Sequence, residues 1–385
     1  MDRIYLDYAA TTPLDRRVLE AMTPYFTETF GNPSSIHYFG QAAENAVEKA
    51  RKTIADHFHV ALGGVIFTSG GTESDNLALR GMAFKQRQEH GANRLVISPV
   101  EHHAVLTTAE QLRDEFGFEL CMLKVDSAGR VDLDDLNRQV DQNTAVVSII
   151  YGNNEIGTIN PMAEIAAICH AKGALLHSDA VQAAAHLPID LSDSQIDLIS
   201  IGAHKFYGPK GIGALVCRSE PDLLSQNTGG KQESNHRAGT HNVPLIVGMA
   251  EALDLTEQSS TNDADELAKM RNTLISGVLD AIPGAVLTGH PSMRLPNHAS
   301  FVFDGVDGNQ LLVQLDMAGF ACSSGSACKV GDPQPSDVLL AIGVPPTQAL
   351  GSLRVTLGRG TTMEHVQRFC SVLPRLVEAN RRGRS

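Results

Sequence analysis

The sequence predicts an α/β protein: a mostly parallel central sheet covered by helices, plus a smaller C-terminal α/β domain. Three observations carry this. The chain has 385 residues, more than one hydrophobic core usually serves, so one large and one smaller domain are expected. Between residues 64 and 218, short β-branched runs alternate with helical patterns, the alternation that builds parallel sheets with helices on both faces. Beyond a polar stretch at 255–265, strands and helices resume in a shorter series.

In chain order, Ala43, Ala46, Val47, Ala50 and Ile54 mark one face of a long amphipathic helix. Segments 65–67, 95–98, 145–151, 174–178, 198–201 and 213–217 read as strands, and Cys121 lies in another strand-like segment. Asn160 and Pro161 open a helix whose Met162, Ile165, Ala166 and Cys169 share a face, and Gly173 closes it. Residues 227–243 form a polar, Gly-rich loop of the length that usually carries function. The polar stretch 255–265 reads as a boundary leading into a helix with Leu267, Met270, Leu274 and Val278 on one side. Strands near 285–287, 299–303 and 353–357 then mix with helices near 310–317 and 364–377. The expected division is a large domain over 15–255 and a small domain over 256–385 that also takes in 1–14.

Composition narrows the functional classes. Apolar content of 42% and charged content of 19% suit a soluble globular protein. A net charge of −13 disfavours nucleic acid as a partner, since phosphate binding needs basic patches. The basic tail at 381–384 reads as a frayed terminus. No apolar stretch is long enough to span a bilayer, and the N-terminus has no signal-peptide pattern. The six cysteines (121, 169, 217, 322, 328 and 370) form no CxxC pair and, Cys328 apart, read as buried thiols in a reducing cytoplasm.

Ligands of open parallel sheets bind beyond the carboxyl ends of the strands, so the residues just after each strand outline the site. The motif LISIGAHKFYGPKG at 198–211 delivers Lys205, beside His204, to such an end. An amine there, away from bulk water, is easily deprotonated and becomes nucleophilic. After the first strand comes TSGGTESDN at 68–76, a glycine turn running into a helix, whose free N–H groups and Thr72 hydroxyl make a phosphate cradle. His102, Asn154, Asp179 and Gln182 come after three further strands. Taken singly, each has a plain structural reading: Lys205 as a surface lysine, His102 as a helix N-terminal residue, Asn154 as a turn former, Asp179 as a cap. Neither HxxxH nor HExxH spacing is present for a metal. Pyridoxal phosphate asks for this set: donors for its phosphate, a carboxylate for its pyridine nitrogen and a lysine for its aldehyde.

Two features stand apart. The segment 321–336 is rich in Gly, Ser and Pro and reads as a flexible surface loop. Cys328 within it would be exposed, with Lys329 favouring its thiolate; an incidental free cysteine is the plain alternative. Arg354, in GSLRVTLG at 351–358, could grip a carboxylate bidentately or serve a structural ion pair.

Together these motifs, with YLDYAATTP at 5–13, GNPSS at 31–35, NNEIG at 153–157, HSDAVQ at 177–182, RAGT at 237–240 and SSGSAC at 323–328, resemble the cysteine desulfurases of the NifS/IscS type. These belong to the class V aminotransferase group of fold-type I enzymes dependent on pyridoxal 5′-phosphate. The resemblance runs essentially the whole length of the chain. It implies that Lys205 carries the cofactor, His102 stacks on its ring, Asp179 pairs with the pyridine nitrogen and Gln182 bonds the ring oxygen. Gly71, Thr72 and His204 would hold the phosphate, with Thr240 reaching it from the other subunit of a homodimer. Gly202 stands in that phosphate site where a serine is common. Asn32, Asn154 and Arg354 would bind the substrate, and Cys328 would accept sulfur as a persulfide while L-cysteine becomes L-alanine. A sulfur-acceptor protein such as an iron–sulfur scaffold is the implied partner. A selenocysteine lyase, a class V transaminase or a non-catalytic sulfur-relay or scaffold-binding protein are the competing readings.

Overall fold

The computed structural model describes residues 3–325 and 334–383, apart from the side chains of 259–263. Cys328 and Lys329 therefore lie outside the described residues. The strands are β1 (Ile4–Tyr5), β2 (Val65–Thr68), β3 (Arg94–Ile97), β4 (Glu119–Met122), β5 (Thr144–Ser148), β6 (Leu176–Asp179), β7 (Leu198–Gly202), β8 (Gly213–Cys217), β9 (Ala285–Leu287), β10 (His298–Phe303), β11 (Phe320–Ala321) and β12 (Ser352–Thr356).

Seven of them form the large sheet, in the order β2-β8-β7-β6-β5-β3-β4. Only β8 runs antiparallel to its neighbours, so the mostly parallel sheet expected from the sequence is what forms. Strands β2, β5, β6, β7 and β8 are buried at every residue, the condition of a sheet covered on both faces. The edge strand β4 has exposed ends and a half-buried middle, with no fully buried residue.

The flanking helices obey their apolar spacing. Helix Tyr38–His57 buries Ala43, Ala46, Val47, Ala50 and Ile54. Helix Met162–Ala171 buries Met162, Ile165, Ala166 and Cys169, and Gly173 comes after it with φ of 76°, a left-handed turn that glycine adopts without Cβ strain. The polar stretch at 255–265 is not the chain break that the sequence suggested. One helix, Val243–Ala281, runs straight through it. Its residues up to Leu255 join the core beneath the large sheet, and from Leu267 onward they join a second core. The polar stretch therefore lies within a helix that passes from one core to the other, not in a loop.

The second core packs between a three-stranded sheet, ordered β12-β10-β9, and helices that include Gly308–Met317 and Met363–Arg382. The start of the chain belongs here: β1 pairs with β11 in parallel, and Ile4 and Leu6 are buried in this core. The 227–243 loop is fastened to the large sheet by Glu233. Its carboxylate takes both terminal nitrogens of Arg51 at 2.8 Å and the N–H of Phe67 at 2.9 Å. His241 Nε2 lies 2.5 Å from the same carboxylate. Glu233, Ser234 and Asn235 all sit in the left-handed region, with φ of 47°, 52° and 71°, a costly run for residues with a Cβ that this clamp holds in place.

Candidate active site

The large sheet's strands point their carboxyl ends at a cavity of about 360 Å³. Of the residues singled out from the sequence, Gly71, Thr72, His102, Asn154, Asp179, Gln182, His204, Lys205 and Arg354 line it. Gly202 lies behind Gly71: a Cβ there would stand 3.5 Å from the Gly71 nitrogen. Asn32 and Thr240 are exposed and do not line the cavity of their own chain.

Lys205 ends a single turn, Ala203–Lys205, just after β7. Its Nζ donates to the carbonyls of Ala9 at 2.7 Å and Ala10 at 2.8 Å. Burial brings its pKa down to about 8; the Arg354 charge adds to this, while Asp179 and Asp7 oppose it. Gln182 Nε2 donates to the same Ala9 carbonyl at 2.8 Å, so the N-terminal segment is built into the site.

Asp179 is the last residue of β6, and its Oδ1 accepts the Val181 N–H at 2.9 Å. Burial raises its pKa, opposed by His102, by the Val181 N–H and by Lys205. His102 caps helix His103–Phe116, its Nδ1 accepting the Ala104 N–H at 3.1 Å. The capping readings therefore hold alongside the cavity-lining ones. With Nδ1 accepting, a neutral His102 carries its proton on Nε2. Burial holds its pKa low and Lys205 adds to this, against the pull of Asp179. His204 is likewise neutral: burial, with Lys205 and Lys210 nearby, takes its pKa down to about 4. Its Nδ1 lies 3.1 Å from the Thr11 hydroxyl.

Helix Gly71–His90 opens into the cavity with no side-chain cap at Gly70, leaving its first N–H groups to a ligand. A Cβ at Gly71 would come within 2.6 Å of Val181 Cγ2, so the close packing of this turn requires glycine. At the opposite end, Arg354 on β12 donates from Nη1 to the Asn154 carbonyl at 3.0 Å and from Nη2 to Asp7 at 3.0 Å. The ion-pair reading of Arg354 is thus also realised. Its buried Nε has no hydrogen-bond partner among the described residues.

Sequence reasoning missed the carbonyls of Ala9 and Ala10, because backbone acceptors leave no residue signature. It also missed Asp75, buried on helix Gly71–His90 with its Oδ1 3.6 Å from His177 Nε2. The ligand atoms of Asp75, His102 and Asp179 all lie within 4.8 Å of one another. Burial first, and then the neighbouring Asp179, hold the Asp75 carboxyl well above the ordinary range. An acid on the inward face of a helix was the available signal.

The donor set fits an elongated, doubly functional group: a helix N-terminus with a hydroxyl at one end, a buried carboxylate at the other, and an amine of lowered pKa between. That arrangement defines an enzyme site of the pyridoxal-phosphate type. The chain matches the aminotransferase class-V family over residues 4–369, and it belongs to that family, whose cofactor is pyridoxal 5′-phosphate. It is 44% identical over 375 residues to a cysteine desulfurase IscS of Dictyoglomus turgidum, covering 97% of this chain and 94% of that protein. A cysteine desulfurase IscS of Methanosarcina thermophila is also 44% identical, over 97% of this chain and 92% of the relative. Among solved structures, a NifS-like protein superimposes with a TM-score of 0.90 at 35% identity, over 98% of this chain and all of that one. A structure described as SspA in complex with cysteine gives a TM-score of 0.81 at 32% identity, over 92% of this chain and 98% of that one. Among the described residues, no helix is long and apolar enough to cross a membrane.

Proposed function

We infer that the chain is a pyridoxal-phosphate-dependent cysteine desulfurase, converting L-cysteine to L-alanine and passing sulfur to Cys328. The observation that carries this is the single cavity joining Lys205, Asp179 and His102 to Arg354, whose backbone pairs with Ser323, five residues before Cys328 in the sequence. The names of relatives at 44% identity support the same reading.

Gly71, Thr72 and His204 would hold the phosphate, Asp179 would pair with the pyridine nitrogen, and Gln182 and His102 would hold the ring, all being residues that line the cavity. Bound there, the cofactor supplies an electron sink for the charge left when a Cα proton is removed. Lys205, poised near neutrality, takes that proton and returns it. Arg354 and Asn154, which share the cavity, would orient the substrate carboxylate. The Cys328 thiolate attacks the substrate sulfur, the Cβ–S bond breaks with its electron pair passing to Cβ, a proton added there completes alanine, and the sulfur stays on Cys328 as a persulfide.

Asn32 and Thr240 act across a homodimer, Thr240 reaching the partner's phosphate site; their exposure outside their own cavity supports this. The persulfide then serves an acceptor such as an iron–sulfur scaffold, in the cytoplasm. We divide the chain at 255/256, with 1–14 joining the smaller unit, a division supported by where helix Val243–Ala281 changes cores. Incubating the holoprotein with L-cysteine, measuring alanine and mapping the persulfide by mass spectrometry tests the function. Absence of alanine refutes it.

A further inference from the structure

Among the acids to which the proposed reaction gives no task is Glu155, half-buried beside the cavity residue Asn154. Glu155 succeeds Asn154 in a turn fixed by Asn153, whose Oδ1 accepts the N–H groups of Glu155 at 2.8 Å and Ile156 at 2.9 Å. Its Oε2 receives a 2.5 Å hydrogen bond from the Ser336 hydroxyl. That hydroxyl also caps helix Asp337–Ala341 by accepting the Leu339 N–H at 3.2 Å. The backbone of Gly325 passes the same oxygen so closely that a Cβ there would stand 2.6 Å from it. Two residues earlier, Ser323 exchanges backbone hydrogen bonds with Arg354, at 2.7 and 3.3 Å. Gly325 and Ser336 bracket Cys328 in the sequence. One carboxyl therefore touches the chain on both sides of the thiol, next to the pair of residues that receives the substrate carboxylate.

We propose that Glu155 is a positioning residue for sulfur transfer: it ties both flanks of the Cys328 segment to the turn bearing Asn154, so that a carboxylate arriving at Arg354 is felt where the thiol is tethered. This rests on the desulfurase reading. The coupling is electrostatic. Burial brings the Glu155 pKa up to about 7, opposed by the Ser336 hydrogen bond and then by the Arg354 charge, with Asp337 adding to the rise. A substrate carboxylate on Arg354 cancels part of that cation's field, so Glu155 binds its proton more tightly. By linkage, an ionised Glu155 weakens substrate binding equally. The cysteine requirement should therefore rise as pH climbs through 7.

The test mixes holoprotein with L-cysteine and tracks two signals: the visible absorbance change on substrate capture, and persulfide on Cys328 by mass spectrometry. Glu155→Ala should lower the persulfide rate on the order of 10- to 100-fold, as misplacement of a reacting group does, while the absorbance change keeps its amplitude. Glu155→Gln, which keeps the volume and an acceptor oxygen, should transfer sulfur at about the wild-type rate near pH 6 but lose the rise in cysteine requirement between about pH 6 and 8. Ser336→Ala should slow transfer as well and add little to Glu155→Ala. Wild-type transfer by Glu155→Ala overturns the proposal, as does an unchanged pH dependence in Glu155→Gln, which decides the matter if the alanine variant does not fold. A wild-type protein that yields neither alanine nor persulfide refutes instead the desulfurase reading beneath it.

Discussion

Lys205 offers the sharpest quantitative prediction. At an ordinary lysine pKa of 10.5, about one amine in a thousand is neutral at pH 7.5; at about 8, roughly one in four is. Only the neutral amine attacks an aldehyde, so the apoprotein should capture pyridoxal phosphate some 200-fold faster at that pH than an unperturbed lysine of equal accessibility. The largest cause of the lowered value is burial, with the Arg354 charge next. Arg354→Gln should therefore move the midpoint upward and slow capture at neutral pH. The assay is stopped-flow absorbance of cofactor uptake by apoprotein across pH 6.5–10.5. Wild-type rates should rise to a plateau with a midpoint near 8. A midpoint at 10 or above would show that the two carbonyls on Nζ stabilise the ammonium more than burial destabilises it, and the argument for a poised amine would fail.

Neighbouring geometry sets further outcomes. Cys328→Ser should abolish the persulfide while leaving the cofactor's visible absorbance intact; persistent turnover would exclude Cys328 as acceptor. Gly202→Ser is sterically open, since its new Cβ would meet nothing closer than 3.5 Å. A hydroxyl there should strengthen phosphate binding by about 1 kcal/mol, read as roughly fivefold slower cofactor loss by dialysis. Glu233→Ala leaves Arg51 with only the more exposed Glu48 as a carboxylate partner among the described residues and should lower stability by about 3 kcal/mol in urea unfolding. In the wild type, burial alone would raise the Glu233 pKa, but the bonds from Arg51 and His241 outweigh it and bring it down to about 2. Its stabilisation, about 3 kcal/mol at neutral pH, is therefore complete above the unfolded value of 4.5 and lost as pH falls toward 2. A shallower loss of stability from pH 6 to 3 in a variant lacking Glu233 than in the wild type is the expected contrast, since the lowered carboxyls of Asp15, Glu73 and Asp135 still titrate in both.

Much of the site was legible because chain direction does the placing. A parallel strand must deliver its succeeding residues to one edge of the sheet, so Lys205, Asp179, His102 and Asn154 could be grouped from their positions after apolar runs. Gly71 was legible for a related reason, since a glycine turn entering a helix exposes N–H groups. The features that failed to show were defined by partners rather than by local pattern. The edge strand β4 showed only as a strand-like segment around Cys121, since none of its residues is fully buried. The polar middle of helix Val243–Ala281 looked like a linker because helical polarity and loop polarity are alike in sequence. The Glu155 contact joins residues 155, 325 and 336, and no short-range spacing records it.

The opening strand has a practical corollary. Ile4 and Tyr5 zip onto Phe320 and Ala321, and a few residues later the same ribbon lends two carbonyls to the reactive amine. Trimming or crowding this end would disturb the nucleophile and the thiol's anchorage together. Affinity handles for purification are therefore better fused at the far end, after helix Met363–Arg382.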